Sequence, residues 1–152
     1  MKKGFQIKKL RKQDVLIFRK LIDLFQQVFE VENPKQADES YLVNLLENLD
    51  FIAMCVIIEN ELAGGLTAYE LPMYYANESE LFIYDIAIRP EFQRKGLGSE
   101  LLKALEKYCR KQNIKMMFVA ANEEDEHALE FYHATGGNAE KVVHFNYLFD
   151  TK

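Results

Sequence analysis

An apolar run at residues 81–88, LFIYDIAI, stops at Arg89-Pro90. A polar segment follows, Gln93-Arg94-Lys95-Gly96-Leu97-Gly98, and a helical pattern starts from it at once. No other stretch constrains the fold as much. Strand, glycine-containing loop and helix N-terminus, in that order, form a site for an anion such as a phosphate. The first N–H groups of a helix have no partner within it, and the helix dipole adds partial positive charge there. Gly96 and Gly98 let a ligand approach the backbone with no Cβ in the way.

The remaining elements follow from hydrophobic period. Phe5-Gln6-Ile7-Lys8 alternates and predicts a first strand. Val15, Phe18, Leu21, Ile22, Phe25, Val28 and Phe29 recur at helical spacing, with Asn33-Pro34 just past them. Asp38 is the expected cap of a second helix carrying Tyr41, Leu42, Leu45, Leu46 and Leu49 on one face. Residues 51–58 read as a buried strand, Glu59-Asn60-Glu61 as a tight turn, and residues 62–69 as the return strand. Gly64-Gly65 within it marks a bulge or a close backbone approach. A tyrosine-containing loop, 71–79, precedes the apolar run. In the helix after it, Leu97, Leu101, Leu102, Leu105 and Cys109 face inward and Lys103, Lys107 and Lys111 outward. Residues 116–121 predict a further buried strand. An acidic loop leads into a short helix with Ala128, Leu129, Phe131 and Tyr132, and residues 142–149 predict a last strand. One α/β domain spanning residues 1–152 accommodates this order.

Charge and cysteines narrow the function classes. The net charge of −5 argues against general nucleic-acid binding and suits a cationic substrate. Cys55 and Cys109 sit in apolar runs outside any C-x-x-C pair, as core thiols do. His127, His133 and His144 are scattered, so no metal is expected. No run is long and apolar enough for a membrane span, and no signal-peptide pattern follows Met1. A cytoplasmic setting is the expectation.

Two motifs carry a resemblance. Gln93-x-x-Gly96-x-Gly98, after a strand ending Ile86-Ala87-Ile88, resembles the acyl-CoA signature of the GNAT N-acetyltransferase superfamily. Asn122, then Ala128-Leu129-Glu130-Phe131-Tyr132 and Gly136, resemble that superfamily's second signature. Tyr69-Glu70-Leu71-Pro72, Ile83-Tyr84-Asp85-Ile86-Ala87, Gln93-Arg94-Lys95-Gly96 and His144-Phe145 are similar to the aminoglycoside 3-N-acetyltransferases of the type I class. Asn122 departs from that class, which has an acid there. The resemblance implies a mixed, mostly antiparallel central sheet flanked by helices and splayed at its central strands. It also implies acetyl transfer from acetyl-CoA to a cationic amine, an aminoglycoside 3-amino group above all, and hence antibiotic resistance. A polyamine, an amino acid or a protein amino group is the alternative acceptor. A CoA-binding domain without catalysis is the alternative class.

The resemblance assigns roles that elementary chemistry can test. The diphosphate would lie on Gln93, Arg94, Lys95, Gly96, Leu97, Gly98 and Ser99, and Asn122 would hold CoA through its amide. The pantetheine arm would pair with the backbone edge at Ile86, Ala87 and Ile88, as a peptide adds to a sheet. That requires the strand to part from its neighbour, helped by a bulge near Tyr84 or Asp85. An alkylamine is protonated at neutral pH and must lose a proton to attack a thioester. Asp85, an ionisable group in an otherwise apolar strand, is the first candidate base, or else a structural hydrogen-bonding group. Glu80 is the second, or else a solvated strand end. Tyr132 would protonate the departing thiolate, although periodicity alone reads it as a packed aromatic. Tyr84, Asp85, Glu123, Glu124, Asp125 and Glu126 would hold the cationic substrate. For the last four the alternative is an acidic loop favouring the next helix's N-terminus. Tyr74 and Tyr75 would wall the sugar or cap the core. Phe145, Tyr147, Leu148 and Phe149 read equally as core or as the interface of a homodimer.

Overall fold

The computed structural model describes residues 4–150. The chain divides into two compact units, the first ending at Ala120 and the second starting at Ala121. In the first, strand β1 (Phe5–Lys9) leads through a short 3-10 turn into helix α1 (Val15–Val28) and helix α2 (Glu39–Glu47). Strands β2 (Phe51–Ile58), β3 (Glu61–Pro72) and β4 (Ser79–Ile88) follow, then helix α3 (Leu97–Lys111) and strand β5 (Ile114–Val119). The sheet runs in the order β1-β2-β3-β4-β5. The first three pairings are antiparallel and β4–β5 is parallel, as the mixed sheet was expected to be.

Local sequence explains the connections. Glu59 and Asn60 both take positive φ, +48° and +66°, and close the β2–β3 hairpin with Ile58 opposite Glu61. A two-residue hairpin loop of this hand matches strand twist. β3 extends past residue 69 to Pro72, because its final pair with Ser79 lies at the strand end, where a proline is tolerated. Parallel strands need a crossover, and α3 supplies it between β4 and β5.

β2 is buried along nearly all its length on both faces. Phe51, Ala53 and Cys55 join Phe18, Leu21, Leu24 and Phe25 of α1, Leu42 of α2 and Ala87 of β4 in one core. The alternate residues Ile52, Met54 and Val56 face the opposite layer, where α3 packs across the sheet. Leu97, Leu101, Leu102, Leu105 and Cys109 are all buried, as α3's period predicts.

Three expectations need correction here. Asp38 precedes α2 but its side chain makes no capping hydrogen bond, and of α2's expected face only Leu42 is fully buried. Tyr41 and Leu49 lie in solvent, since so short a helix covers the core with a single stripe. β5 is not a buried strand at 116–121. It begins at Ile114, ends the sheet, and exposes Met116 and Phe118.

The second unit holds helix α4 (Glu126–Ala134). Asp125 caps it by accepting a hydrogen bond from the Ala128 N–H at 3.1 Å. Gly136, at φ +100°, ends it, with the Gly136 and Gly137 N–H groups donating to the His133 and Tyr132 carbonyls. No residue of α4 is fully buried. The expected last strand at 142–149 does not form, and residues 138–150 carry no regular secondary structure.

Candidate active site

β3 runs alongside β4 from Ser79 to Ile88, but β5 pairs with β4 only as far as Ile83, opposite Val119. Residues 84–88 therefore keep β3 on one side and no strand on the other among the described residues. Parting of the sheet at this point was the geometry expected for a bound amide chain. The expected bulge is there too. Thr67 pairs with Asp85 and Ala68 with Ile83, which leaves Tyr84 as the extra residue on β4. A bulge bends its strand and re-aims the side chains beside it.

The bent end of β4 is held firmly. Gly64 lies opposite Ile88, and a Cβ there would run into the Ala87 carbonyl oxygen and Ile88. Gly65 is packed equally closely on the Met54 carbonyl oxygen and Leu21. Both glycines permit the close backbone approach read from the sequence, and Ala63 beside them is the unmatched residue of a second bulge. Arg89 fastens the strand end from beyond. Its N–H donates to the Ala63 carbonyl and its Nε to the Leu62 carbonyl, both at 2.8 Å.

Asp85 is half-buried at the start of the free edge. Desolvation raises its carboxyl above the ordinary 3.8, the direction that makes a carboxylate a better proton acceptor near neutral pH. An aromatic row borders it. Tyr69 meets Phe51 edge-on at 5.1 Å and Tyr84 at 5.7 Å; Phe82 meets Tyr84 at 5.9 Å and stacks on Phe118 at 5.1 Å. Burial is the main cause of a raised Tyr69 hydroxyl pKa, with Tyr84, Tyr41 and Asp85 adding to it. Tyr69 and Phe82 were not singled out as site residues from sequence. Phe82 carried a signal, two residues before Tyr84 and so on one face with it, whereas Tyr69 joins them only through its cross-strand pairing with Phe82. Tyr84 itself is 60% exposed, so its ring is open to a ligand.

Glu80 stands elsewhere on the same strand. It pairs with Leu71 and Met116 inside the fully paired region. Five residues separate it from Asp85, about 17 Å along an extended strand, so the two carboxylates cannot touch one amine together. Tyr74 and Tyr75 are 97% and 70% exposed, which removes the reading in which they cap the core.

Beyond Ile88 the loop takes the form its sequence suggested. Arg94 and Gly96 have positive φ, +63° and +81°, and Gly96 precedes α3 with no side-chain cap. The first N–H to enter the helical ladder is that of Glu100, which donates to the Gly96 carbonyl at 3.0 Å. The N–H groups of Leu97, Gly98 and Ser99 come before it and are left for an anion. A Cβ on Gly96 would meet nothing, so the space above the loop is open. Gln93 has a more local task than expected. Its amide donates to the Ile88 carbonyl at 2.8 Å and ties the loop to the end of β4. Lys95 lies over the Phe92 ring at 5.6 Å. The free edge at Ile86, Ala87 and Ile88 runs directly into this turn.

In the second unit, Asn122 accepts a backbone hydrogen bond from the Asp125 N–H, and Asp125 caps α4. The helix-capping reading of the acidic loop therefore holds for Asp125. Glu123 lies 4.0 Å from Lys141, and both are exposed. Tyr132 packs edge-on against Phe131 at 5.2 Å. Among the described residues no group of His, Cys, Asp or Glu is arranged to hold a metal ion, and no helix is long and apolar enough to cross a membrane.

The profile of the Acetyltransferase (GNAT) family matches residues 18–136. The chain belongs to that family. An aminoglycoside acetyltransferase from an uncultured soil metagenomic sample, crystallised with trehalose, matches it with a TM-score of 0.95 and 35% identity over 98% of this chain and 99% of that one. The same relative in complex with sisomicin gives 0.94 and 34% over 97% of each chain. A second soil-metagenome aminoglycoside acetyltransferase gives 0.91 and 29% over 96% and 99%. The L-2,4-diaminobutyric acid acetyltransferase of Vibrio cholerae is 34% identical over 64 residues, 41% of this chain and 35% of its own length. The chain thus matches about a third of that curated relative. The family is an enzyme family, and the mixed, parted sheet is its fold.

Proposed function

We propose that this GNAT enzyme transfers the acetyl group of acetyl-CoA to a primary amine of a cationic small molecule, the 3-amino group of an aminoglycoside. One observation supports the reading: β4 loses its β5 partner after Ile83, and the freed edge, residues 84–88 with Asp85 near its start, leads to a glycine-containing turn at the N-terminus of α3. The diphosphate lies on the N–H groups of the loop and of the start of α3, with Arg94 and Lys95 adding charge. The pantetheine amides pair with the edge at Ile86, Ala87 and Ile88. This lays the thioester toward the Tyr84 bulge, beside the half-buried carboxylate of Asp85.

The acceptor amine gives its proton to Asp85, directly or through a water. The neutral nitrogen then attacks the thioester carbonyl; as the C–S bond breaks and the amide forms, the nitrogen sheds its second proton to solvent. Tyr132, carried over from the family's second signature, gives its phenol proton to the thiolate and regains one from solvent. Direct attack within a ternary complex is supported by the cysteines. Cys55 and Cys109 are both buried and their thiols are pushed up to about 11, so neither offers a thiolate at neutral pH. The exposed rings of Tyr84, Tyr74 and Tyr75 suit a sugar face. Glu123, Glu124 and Glu126, with the carboxylate oxygen of Asp125 not used in capping, suit its ammonium groups.

The aminoglycoside reading is supported by likeness to soil-metagenome enzymes over almost the whole chain. The Vibrio cholerae relative favours a second reading, a small diamino acid, over a shorter match. Product analysis separates them. Acetyl-CoA and an aminoglycoside should give a mono-acetylated product whose NMR spectrum places the acetyl group on the 3-amino nitrogen. Acetylation at another nitrogen contradicts the regiochemistry, and turnover of 2,4-diaminobutyrate alone contradicts the aminoglycoside.

A further inference from the structure

Cross-strand register in the first unit sets two rows of side chains next to each other. Phe51 of β2 stands opposite Tyr69 of β3, and Tyr69 opposite Phe82 of β4. In the adjoining row Ala53 stands opposite Thr67, and Thr67 opposite Asp85. Directly opposed residues share a face of the sheet, and so do residues two apart on one strand. Tyr69 and Asp85 therefore lie on the same face, the one that α1 and α2 cover at Phe51 and Ala53.

Tyr69 sits at the margin of that cover. It is partly buried and packs against the core, with its ring edge-on to Phe51 at 5.1 Å and to Tyr84 at 5.7 Å. Tyr84, next to Asp85 in the chain, is 60% exposed. Tyr41, on the α2 side of the sheet, is 63% exposed. Burial first, and then Tyr84, Tyr41 and Asp85, raise the Tyr69 hydroxyl pKa, so all three lie within electrostatic reach of it. The buried rings of the core, Phe18, Phe25 and Phe51, are phenylalanines, whereas the partly open rings near Asp85 are tyrosines. Core packing alone does not call for a hydroxyl. An uncharged tyrosine ring offers a negative face to a cation, and a neighbouring carboxylate strengthens the attraction.

We infer that Tyr69 and Tyr84, with Tyr41 beyond them, form an aromatic site beside Asp85 that holds an alkylammonium group of the acceptor, and that Tyr69 thereby selects polycationic acceptors. The inference rests on the reading of the acceptor as a cationic amine and adds to it the residues that recognise its charge. The reacting nitrogen must lose its charge to Asp85, so the ammonium held by the rings is a neighbouring one that keeps its proton. It is bound alike before and during transfer. Weakening it therefore raises the acceptor KM and not the barrier to transfer.

The test compares two full-length variants that differ only in ring charge, Tyr69→Phe and Tyr69→3,4,5-trifluorophenylalanine. Fluorination keeps the ring and its packing but withdraws the negative face. Kanamycin, which carries a 3-amino group and other amines, is the probe, and calorimetry on the CoA-loaded protein reads binding without turnover. The trifluoro variant should bind kanamycin about 2- to 30-fold more weakly than Tyr69→Phe and bind CoA equally well. In steady state the same factor should appear in the kanamycin KM and not in kcat. Equal kanamycin affinity in the two variants, a loss confined to kcat, or a wild type that does not bind kanamycin would each overturn the inference. If the Tyr69 variants fail to fold, the same pair at the exposed Tyr84 makes the comparison. Kanamycin bound through the rings with no thiol released would sink the transfer reading and leave the ammonium site standing. Thiol released with equal affinity in both variants would do the reverse.

Discussion

Ile83 and Val119 form the last pair between β4 and β5, and Asp85 begins the unpaired edge two residues later. Everything proposed for this enzyme hangs on that parting of two parallel strands. A continuous sheet would have no free amides at Ile86 and Ile88 to offer. The Tyr84 bulge is what turns the strand there, and it also explains why Asp85, and not Glu80, lies next to the gap.

Asp85→Asn should lower kcat by about 10²- to 10⁴-fold, the usual contribution of a positioned general base, and leave the acetyl-CoA KM nearly unchanged. Steady-state kinetics checks this. Unchanged turnover would remove Asp85 from the proposed chemistry.

The raised pKa of Asp85 makes a second prediction, on stability. Its folded-state pKa lies above its unfolded one. Its favourable contribution is therefore fully present below the unfolded pKa and lost as pH rises through the folded pKa. At neutral pH the buried charge opposes folding, so Asp85→Asn should melt higher than wild type at pH 7. The gap should shrink as the pH falls toward 4. An acidic limb in the kcat profile, centred above 3.8, should report the same group.

Two substitutions at Gly96 should separate strain from ligand contact. Gly96→Ala meets no neighbour but must hold φ +81°, a strain of about 1–2 kcal/mol. It should lower the melting temperature by a few degrees and still bind CoA. Gly96→Glu adds the same strain and a carboxylate where the diphosphate would lie. Calorimetry should detect no CoA binding to it.

Gly64→Ala should destabilise by overpacking, about 1–3 kcal/mol, because its Cβ meets the backbone of β4. At about 2–4 °C per kcal/mol for a chain of this size, a fall of roughly 2–12 °C is expected in a thermal melt. A melting temperature equal to wild type would mean that β3 and β4 are not packed so closely there.

The thiols give a fifth check. Cys55 and Cys109 should react slowly with iodoacetamide in the native protein and quickly in denaturant. A Cys109→Ala variant should keep its kcat. Loss of turnover with intact folding would point to an acyl-cysteine step in place of direct attack.

Much of this was legible in the residues. α3's five buried positions followed from period alone, and the turn into its N-terminus from its glycines and its place after a strand. Strand β2 was legible because a doubly buried strand is a continuous apolar run, and β4, which buries Leu81, Ile83 and Ala87, carries a run of the same kind. β5 misled for the same reason: Met116-Met117-Phe118-Val119 looks buried, but an edge strand with apolar residues has an identical sequence. Residues 142–149 were read as a strand because their pattern is a strand's, and pattern alone does not supply the paired neighbour that a strand needs. Tyr69 escaped notice because only the cross-strand register, which sets it opposite Phe82, brings it beside Tyr84. Asp38 has the right residue in the right place, and only geometry tells that its carboxylate does not cap.

If the free β4 edge and the turn beyond it hold acetyl-CoA beside Asp85, thiol release from acetyl-CoA across a panel of amines reads out the transfer. Aminoglycosides bearing a 3-amino group should release thiol at a kcat/KM well above that for polyamines, free amino acids and peptides. Tight CoA binding with no thiol released by any amine in the panel would rule the proposed transfer out.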